Sequence, residues 1–210
     1  MKAELRRPGA DLLRWVEGYQ RKTFREGKQP PAKGMDLAGM DFSDLDLVSM
    51  AFEDSTLDGT CLQRAQFGDV YLLSCSVRQA DFTDAWLSKG EVHESDLGGA
   101  IFRRAKLIKW NVYESVLQNA DFTEADTNRT FFCECDLRNA RFRRVELIDV
   151  GIRDCILTGA DFTGSAGTIS AHPINVGTPE MPRWIEGDDA LDWFRAAGAR
   201  DVRWRSRRRG

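Results

Sequence analysis

The sequence is poor in the residues from which most catalytic and metal-binding sites are built. It contains only two histidines, His93 and His172, and it has no glycine-rich loop of the kind that holds phosphate groups. Its five cysteines are an odd number without disulfide-type spacing, which favours a reducing compartment. We therefore expect a protein that is not an enzyme and that has no cofactor, metal ion or small-molecule substrate.

Long apolar segments are also missing. No run of 18 apolar residues is present, which is close to the length that a membrane-spanning helix needs. The first residues are charged and lack the apolar stretch of a secretory signal. These features predict a soluble, cytoplasmic protein without a membrane partner.

The sequence is rich in one pattern, an apolar residue at every fifth position. From Leu37 to Phe162, 25 of 26 successive positions in this phase are apolar, and Thr127 is the exception. A period of five fits neither the 3.6-residue helix nor the two-residue strand, so it indicates a repeat architecture. A small residue often stands two positions before the apolar one and an aspartate one position before it, as in Ala80-Asp81-Phe82.

A second period, four times as long, is superimposed on the first. If four five-residue units form one square turn, positions that differ by 20 in number stack directly above one another. One such column is nearly all phenylalanine: Phe42, Leu62, Phe82, Phe102, Phe122, Phe142 and Phe162. Another contains small residues: Ser55, Cys75, Ser95, Ser115, Cys135 and Cys155.

The repeated unit resembles the consensus of the pentapeptide-repeat family, Ala-(Asp/Asn)-(Leu/Phe)-X-X, over residues 35–166. The resemblance implies an all-β solenoid, a right-handed quadrilateral β-helix with coils about 4.8 Å apart. In that fold the central apolar residue and the small residue two before it point inward, and the other three point outward. Short helical segments are expected to cap both ends.

Residues 1–34 are predicted to form an N-terminal helix and a linker that cover the first coil. Asp11 is the candidate N-cap residue, and Pro30 and Pro31 are expected to end the helix. The apolar stripe of this helix contains Leu12, Leu13, Trp15, Val16 and Tyr19. A dedicated binding helix is the alternative interpretation.

Residues 167–210 leave the repeat. We expect a loop from Gly167 to Pro182, then a helix that is capped by Asp188 or Asp189, runs to about Ala197 and is closed by Gly198. This helix resembles the dimerisation helix of topoisomerase-directed family members, which implies a homodimer through Leu191, Trp193 and Phe194. A monomeric cap is an equally open alternative. The terminal arginines are expected to form a solvated tail: Arg205, Arg207, Arg208 and Arg209.

Several positions in the predicted core depart from the consensus, among them Thr127 and Trp110. Thr127 puts a hydroxyl where an apolar side chain belongs, and it must find a backbone partner or cost about 1–3 kcal/mol. A local bend around residues 127–129 is expected. Trp110 occupies a small-residue position directly above Gly90, which leaves room for its ring. Cys135 and Cys155 are expected to stack in the core as reduced thiols.

Because the core residues are common to the whole family, function must come from the outward columns. Of the 23 acidic residues in 35–166, 11 stand at the consensus position before the centre, so they identify no active site. One corner column alternates acid and base and is expected to neutralise itself: Asp44, Arg64, Asp84, Arg104, Glu124 and Arg144.

A second corner column is acidic without alternation: Asp54, Ser74, Glu94, Glu114, Glu134 and Asp154. Asp96 and Asp136 lie round the same corner, and the outward aromatic residues Tyr71, Tyr113 and Phe131 share the adjoining face. We predict that these residues form a protein-binding surface. Neutral drift on a tolerant surface is the alternative.

The resemblance implies a non-catalytic DNA mimic that binds a type II topoisomerase, DNA gyrase or topoisomerase IV, and protects it from topoisomerase poisons. The five-residue phase contains no loop insertion, so simple competition with DNA is favoured over a loop-dependent mechanism. A protein–protein scaffold with an unrelated target is the alternative. Direct nucleic-acid binding is not expected, because residues 35–166 carry a net charge of −10.

Overall fold

The computed structural model describes residues 5–26, 31–178 and 180–204. Pro30, Pro179 and the arginines of the terminal tail lie outside the described residues. In chain order, the elements are α1 (Ala10–Glu26), β1 (Ala32–Lys33), β2 (Ala51–Glu53), β3 (Tyr71–Leu73), β4 (Glu91–His93), β5 (Asn111–Tyr113), β6 (Phe131–Cys133), β7 (Glu146–Arg153), β8 (Ala166–Ala171), β9 (Ile174–Asn175), β10 (Trp184–Ile185), α2 (Gly187–Ala196) and β11 (Asp201–Trp204).

Nine of these strands form one parallel sheet in the order β1 to β8, followed by β11. Paired positions differ by 20 in number over most of the sheet, so that Leu72 pairs with Phe52 below and Val92 above. The other three faces are held by single bridge pairs with the same spacing, such as Asp81 with Ile101. The all-β solenoid, a right-handed quadrilateral β-helix, is therefore confirmed.

The core consists of the inward columns. The rings of Phe82, Phe102, Phe122, Phe142 and Phe162 stack with centroids 4.7–5.0 Å apart and planes within 5° of parallel. Each of these rings is at most 1% exposed, and the alanines beside them are also buried. Burial of these rings, together with the leucine, isoleucine and valine side chains of the other inward columns, supplies the hydrophobic stabilisation of this fold.

The unusual core positions are accommodated locally. Thr127 is fully buried, and its hydroxyl donates a hydrogen bond to the carbonyl oxygen of Glu146 at 3.4 Å. The ring of Trp110 lies over Gly90, where an added Cβ would come within 2.9 Å of it. The predicted bend at residues 127–129 stays a prediction, but a register irregularity does occur one coil above, between Leu147 and Val150.

Helix α1 packs on the open end of the first coil through the apolar residues that the sequence indicated. Val16 is buried, and Leu12, Trp15 and Tyr19 are partly buried against the same core. The predicted N-cap is wrong, because the helix begins at Ala10 and Asp11 lies within its first turn, beside Arg14. Gln20 anchors the helix by donating to the carbonyl oxygens of Asp46 and Val48.

The predicted loop from Gly167 to Pro182 is also wrong, since it contains β8 and β9. After the irregularity in β7, paired positions differ by 19 in number instead of 20, and Ile152 pairs with Ala171. This shift by one position hides the last strand from the five-residue period. Strand β11 then pairs with β8 and extends the sheet.

Helix α2 closes the upper end of the solenoid. It begins after Glu186, which makes no side-chain cap hydrogen bond, so the predicted aspartate cap is wrong. Its C-terminus agrees with the sequence, since Ala197 is the C-cap and Gly198 follows with a φ of 98°. The three-segment division at residues 34/35 and 166/167 stays a prediction, and strand pairing in the sheet continues across both positions.

Candidate partner-binding surface

The acidic column occupies one of the four corners of the solenoid. Every fifth residue from Gly34 to Gly164 has a positive φ, and these residues are the corners. Glu94, Glu114 and Glu134 have φ values of 47°, 47° and 55° and follow strands β4, β5 and β6 directly. Because the left-handed conformation turns the chain sharply at this point, each carboxylate lies exposed outside the core.

This corner differs from the other three in its backbone hydrogen bonding. At the other corners the small residue usually donates its N–H to the preceding central carbonyl, as Ala85 does to Phe82 at 3.0 Å. Val145, which donates to Ser165 Oγ at 2.8 Å, is an exception near the upper end. At the acidic corner, side chains of the coil above accept this bond instead. Cys75 N–H donates to Ser95 Oγ at 3.0 Å, and Ser95 N–H donates to Ser115 Oγ at 3.1 Å.

The serine and cysteine column is therefore explained by the need to satisfy these buried N–H groups. Each hydroxyl or thiol also donates to the carbonyl two residues before it, as Ser115 Oγ does to Tyr113 at 2.6 Å. Cys135 and Cys155 play the same part, with Cys135 N–H donating to Cys155 Sγ at 3.4 Å, and both are free thiols. The column therefore keeps backbone N–H groups of the acidic corner hydrogen-bonded.

The predicted acidic residues divide into two groups by ion pairing. Four have a basic neighbour: Asp54 with Lys33 at 3.0 Å, Asp96 with Arg78 at 2.5 Å, Asp136 with Arg138 at 2.6 Å, and Asp154 with Arg153 at 3.8 Å. Within the described residues, Glu94, Glu114 and Glu134 make no ion pair closer than 4.0 Å. The unneutralised part of the surface is thus a stack of three glutamates.

The pairing of Asp136 shows how strongly the first group is engaged. Burial raises the pKa of Asp136, but hydrogen bonds from Arg138 and Gln118 outweigh it and the pKa lies below its usual value. The guanidinium of Arg138 donates hydrogen bonds to both carboxylate oxygens at 2.6–3.0 Å. Asp136 is therefore held by its own chain, in contrast to the three glutamates.

An aromatic ladder runs along the middle of the adjoining face, which we call the sheet face because strands β1 to β7 form it. Tyr71 lies 5.4 Å from His93, and His93 lies 4.7 Å from Tyr113 in a nearly parallel stack. Tyr113 meets Phe131 edge-on at 5.9 Å, and the guanidinium of Arg153 lies 5.6 Å from the Phe131 centroid. The structure brings the three predicted aromatic residues together.

His93 and Arg153 are parts of this ladder that sequence reasoning missed. His93 was not included in the predicted surface, although its column places it between Tyr71 and Tyr113. Arg153 also covers the Cys133 thiol, with Nη2 2.9 Å from Sγ, which explains why this outward cysteine is only 2% exposed. Burial raises the pKa of Cys133, and Arg153 opposes this effect.

A groove of about 570 Å³ lies beside the acidic corner, and its walls include Glu114, Glu134, Asp136 and Asp154. Trp184 of β10 forms another wall and is 52% exposed. The sequence did not indicate this residue, because its position depends on the pairing of β9 with β10, which lies outside the repeat. The groove adds an exposed aromatic ring to the acidic surface.

The three predicted dimerisation residues face the chain's own core to different degrees. Phe194 is fully buried with its ring 5.0 Å from that of Phe162, and Leu191 is 7% exposed. Trp193 is half-buried, 6.1 Å from the same Phe162 ring. These contacts make α2 an end cap, and a dimer through this helix stays a prediction in which only Trp193 retains accessible surface.

The alternating column on the phenylalanine face behaves as expected from the sequence. Arg64 bonds to Asp44 and Arg104 to Asp84, each through two N–H groups at 2.7 Å, and Arg144 bonds to Glu124 at 2.8 Å. Nearby, Asp121 is 4% exposed and is held by Arg103 at 2.7 Å. This corner is neutralised by contacts within the chain.

No group of three or more histidine, cysteine or acidic side chains suited to a metal ion occurs among the residues that the structure describes. In the same part of the chain, neither helix has the length and apolar character required to cross a membrane.

Comparison with known proteins agrees with the architecture. A model of pentapeptide repeats matches eight copies in residues 115–150. Two trypsin-treated variants of QnrB1, a plasmid-mediated fluoroquinolone resistance protein, superpose with TM-scores of 0.62 and 0.61 at 20% identity, covering 66% of this chain and 72% and 71% of theirs. Full-length QnrB1 gives 0.51 at 20% identity, with coverages of 67% and 78%.

At this identity the likeness to QnrB1 shows a shared fold alone. The search of curated protein sequences found no match. The matched repeats, the continuous five-residue phase and the square coils support the assignment of this chain to the pentapeptide-repeat family.

Proposed function

We propose that this protein is a non-catalytic partial mimic of DNA that binds a type II topoisomerase, DNA gyrase, and protects it from topoisomerase poisons. The observation that carries the proposal is the stack of Glu94, Glu114 and Glu134, which have no ion pair within the described residues. The resemblance to topoisomerase-directed family members and the fold shared with a fluoroquinolone resistance protein support it.

The charge pattern suits a basic partner. Adjacent glutamates of the column are about 4.8 Å apart, so each like-charge pair costs roughly 0.9 kcal/mol even in bulk water. A basic surface that normally holds DNA relieves this repulsion when it covers the column. Duplex DNA carries one charge per about 1.7 Å of its axis, so the mimicry is partial and confined to one corner.

The neighbouring groups have secondary parts in this proposal. Tyr71, Tyr113 and Phe131 supply apolar contact area beside the glutamates, as aromatic residues do in protein interfaces. Asp54 and Asp154 at the ends of the column, and Asp96 and Asp136 beside it, already have basic neighbours, so they contribute less to binding. Because the phase contains no inserted loop, the protein acts by competing with DNA for the same surface.

The test is a gyrase supercoiling assay with and without a quinolone. The wild-type protein is expected to inhibit supercoiling or to restore it in the presence of the drug. The variant E94K/E114K/E134K is expected to lose this effect, whereas D44K/D84K/E124K, which makes the same charge change at the alternating corner, retains it. If micromolar wild-type protein has no effect in either assay, the topoisomerase proposal is wrong.

A scaffold function with an unrelated protein target is the second candidate. The aromatic ladder favours it, since a face lined by Tyr71, His93, Tyr113 and Phe131 suits a protein surface better than it suits the imitation of a phosphate backbone. A negative gyrase assay, combined with loss of a different partner in the E94K/E114K/E134K variant, would support this candidate.

A further inference from the structure

The sheet face carries opposite charges on its two edges. Each of the strands β4, β5 and β6 is preceded by a cation and followed by a glutamate. The pairs are Lys89 with Glu94, Lys109 with Glu114, and Arg129 with Glu134. All six residues are exposed at corners with positive φ. We call Lys89, Lys109 and Arg129 the basic column.

The basic column, like the three glutamates, lacks an ion-pair partner within the described residues. The ion pairs found there, such as Arg104 with Asp84, involve none of its members. Five residues separate the two edges, which corresponds to about 16 Å of extended chain. The face therefore has a positively charged edge and a negatively charged edge, with the aromatic ladder between them.

We propose that the sheet face pairs with the same face of a second copy of this chain, with the two solenoids side by side and parallel. A twofold axis that runs along the middle of the face, parallel to the solenoid, brings the basic column of each copy against the glutamates of the other. Each of the three cation–glutamate contacts then occurs twice, as in any isologous interface.

The middle of the face is compatible with this arrangement. In each coil, the same axis places the residue before the strand centre of one copy opposite the residue after the strand centre of the other copy. Glu91 then faces His93, Tyr71 faces Leu73, and Phe131 faces Cys133, which the Arg153 guanidinium covers. The first pair combines an acid with an imidazole, the second combines apolar groups, and the third brings a ring against a cation, so no like charges meet in these coils.

The antiparallel arrangement is disfavoured by the same residues. It brings Lys109 against Lys109 of the second copy, Glu114 against Glu114, and Lys89 against Arg129. Such like-charge contacts cost several kcal/mol in an interface. In the parallel arrangement one unfavourable contact remains, between Asp149 and Asp154 at the end of the face, where Arg153 lies 3.8 Å from the Asp154 carboxylate. The charge pattern therefore selects one orientation.

The predicted dimer is weak. Six coils about 4.8 Å apart and strands about 16 Å wide give roughly 450 Å² per copy, or about 900 Å² in total, which is below the range of stable interfaces. Because the contacts between edges are ionic, salt screens them. The inference does not depend on the proposed topoisomerase partner, since it requires the basic column, which that proposal does not use.

Sedimentation velocity over a concentration series tests the inference. At low salt the wild-type mass is expected to rise toward that of a dimer with concentration, and at high salt it should remain that of a monomer. E94K/E114K/E134K and K89E/K109E/R129E are each expected to be monomeric, because both edges of the face then carry the same sign. An equimolar mixture of the two variants should form a heterodimer.

Matched controls at the alternating corner are D44K/D84K/E124K and R64E/R104E/R144E, which should dimerise like the wild-type protein. Thermal unfolding verifies that every variant is folded, and the mixing experiment separates a lost interface from a lost fold. A wild-type protein that is monomeric at every concentration and salt would contradict the inference. A dimer that survives both single-column reversals would also contradict it, since it must form elsewhere.

Discussion

Two corners of the same solenoid share a positive φ at the corner residue but have very different electrostatics. In the alternating column, Arg104 and Asp84 form a two-point contact at 2.7 Å, and Arg64 with Asp44 does the same. In the acidic column, Glu94, Glu114 and Glu134 stack at the same spacing, and the structure gives them no ion pair in the described chain. The fold imposes the positions in both cases but does not impose the charges.

This difference separates what the fold requires from what it merely permits. Pairing between coils lowers the energy of the alternating corner, because each charge has an opposite neighbour above or below. The acidic corner accepts repulsion that one arginine in the column would remove. Repulsion that the fold does not need is best explained by a partner, which is the reason for assigning function to this corner.

The largest expected effect comes from making the acidic column alternate. In E94R/E134R, arginines flank Glu114, so this corner acquires the pairing of the other. We expect gyrase affinity to fall by about 100-fold or more, because two attractive contacts become repulsive. Titration of labelled gyrase measures the affinity, and unchanged binding would remove the assignment of this surface.

Ser95→Ala tests whether the acidic corner, unlike the other corners, needs a side-chain acceptor for its backbone N–H groups. The change leaves the buried N–H of Cys75 without its acceptor and should lower the free energy of unfolding by about 1–3 kcal/mol. Thr60→Ala is the matched control at a corner of the other type, since Thr60 N–H still donates to Leu57 and the loss should stay below about 1 kcal/mol. Equal losses in denaturant unfolding would refute the explanation of the serine and cysteine column.

A transfer of the acidic column tests whether charge alone is sufficient. The variant E94K/E114K/E134K/R64E/R104E/R144E carries an uninterrupted acidic column on the phenylalanine face and none beside the aromatic ladder. We expect gyrase binding to remain lost, because the new column lacks the Tyr71, Tyr113 and Phe131 contacts. Recovery of wild-type affinity would mean that the ladder has no part in binding.

The smallest expected effect is a pH dependence from the neutralised face. Burial raises the pKa of Asp121, but hydrogen bonds from Thr123 and Arg103 outweigh it, so its pKa in the folded protein lies below the usual value. A lowered folded-state pKa stabilises the protein above the unfolded pKa of about 4, and this stability is lost as the pH falls through the folded pKa.

Asp121→Asn should therefore weaken the decline of unfolding free energy below about pH 4, and Arg103→Gln should move that decline to higher pH. Denaturant unfolding at a series of pH values provides the measurement. An Asp121→Asn variant with the wild-type acid dependence would show that the Arg103 contact does not contribute.

The sequence was sufficient for the solenoid because the five-residue phase directly reports which side chains point inward. It failed where that phase ends. Strand β8 continues the sheet in a register shifted by one position, and β11 returns to pair with it after α2, so neither carries the repeated pattern. A strand that joins through a changed register has no periodic signal of its own.

The acidic column could be found by sorting the chain in steps of 20, but its division into paired and unpaired acids could not. Arg78 bonds to Asp96 in the coil above, whereas Arg138 turns back to Asp136, two residues before it. These choices depend on side-chain conformations. Trp184 was missed because its place beside the acids results from the β9–β10 pairing, which brings a distant segment to the corner.

The most direct test of the central claim is the quinolone-protection assay with three proteins in parallel. Our account predicts that wild-type protein and D44K/D84K/E124K restore gyrase supercoiling in the presence of the drug, and that E94K/E114K/E134K does not. Equal protection by all three proteins, or by none of them at micromolar concentration, would contradict the assignment of the acidic corner as the surface that binds gyrase.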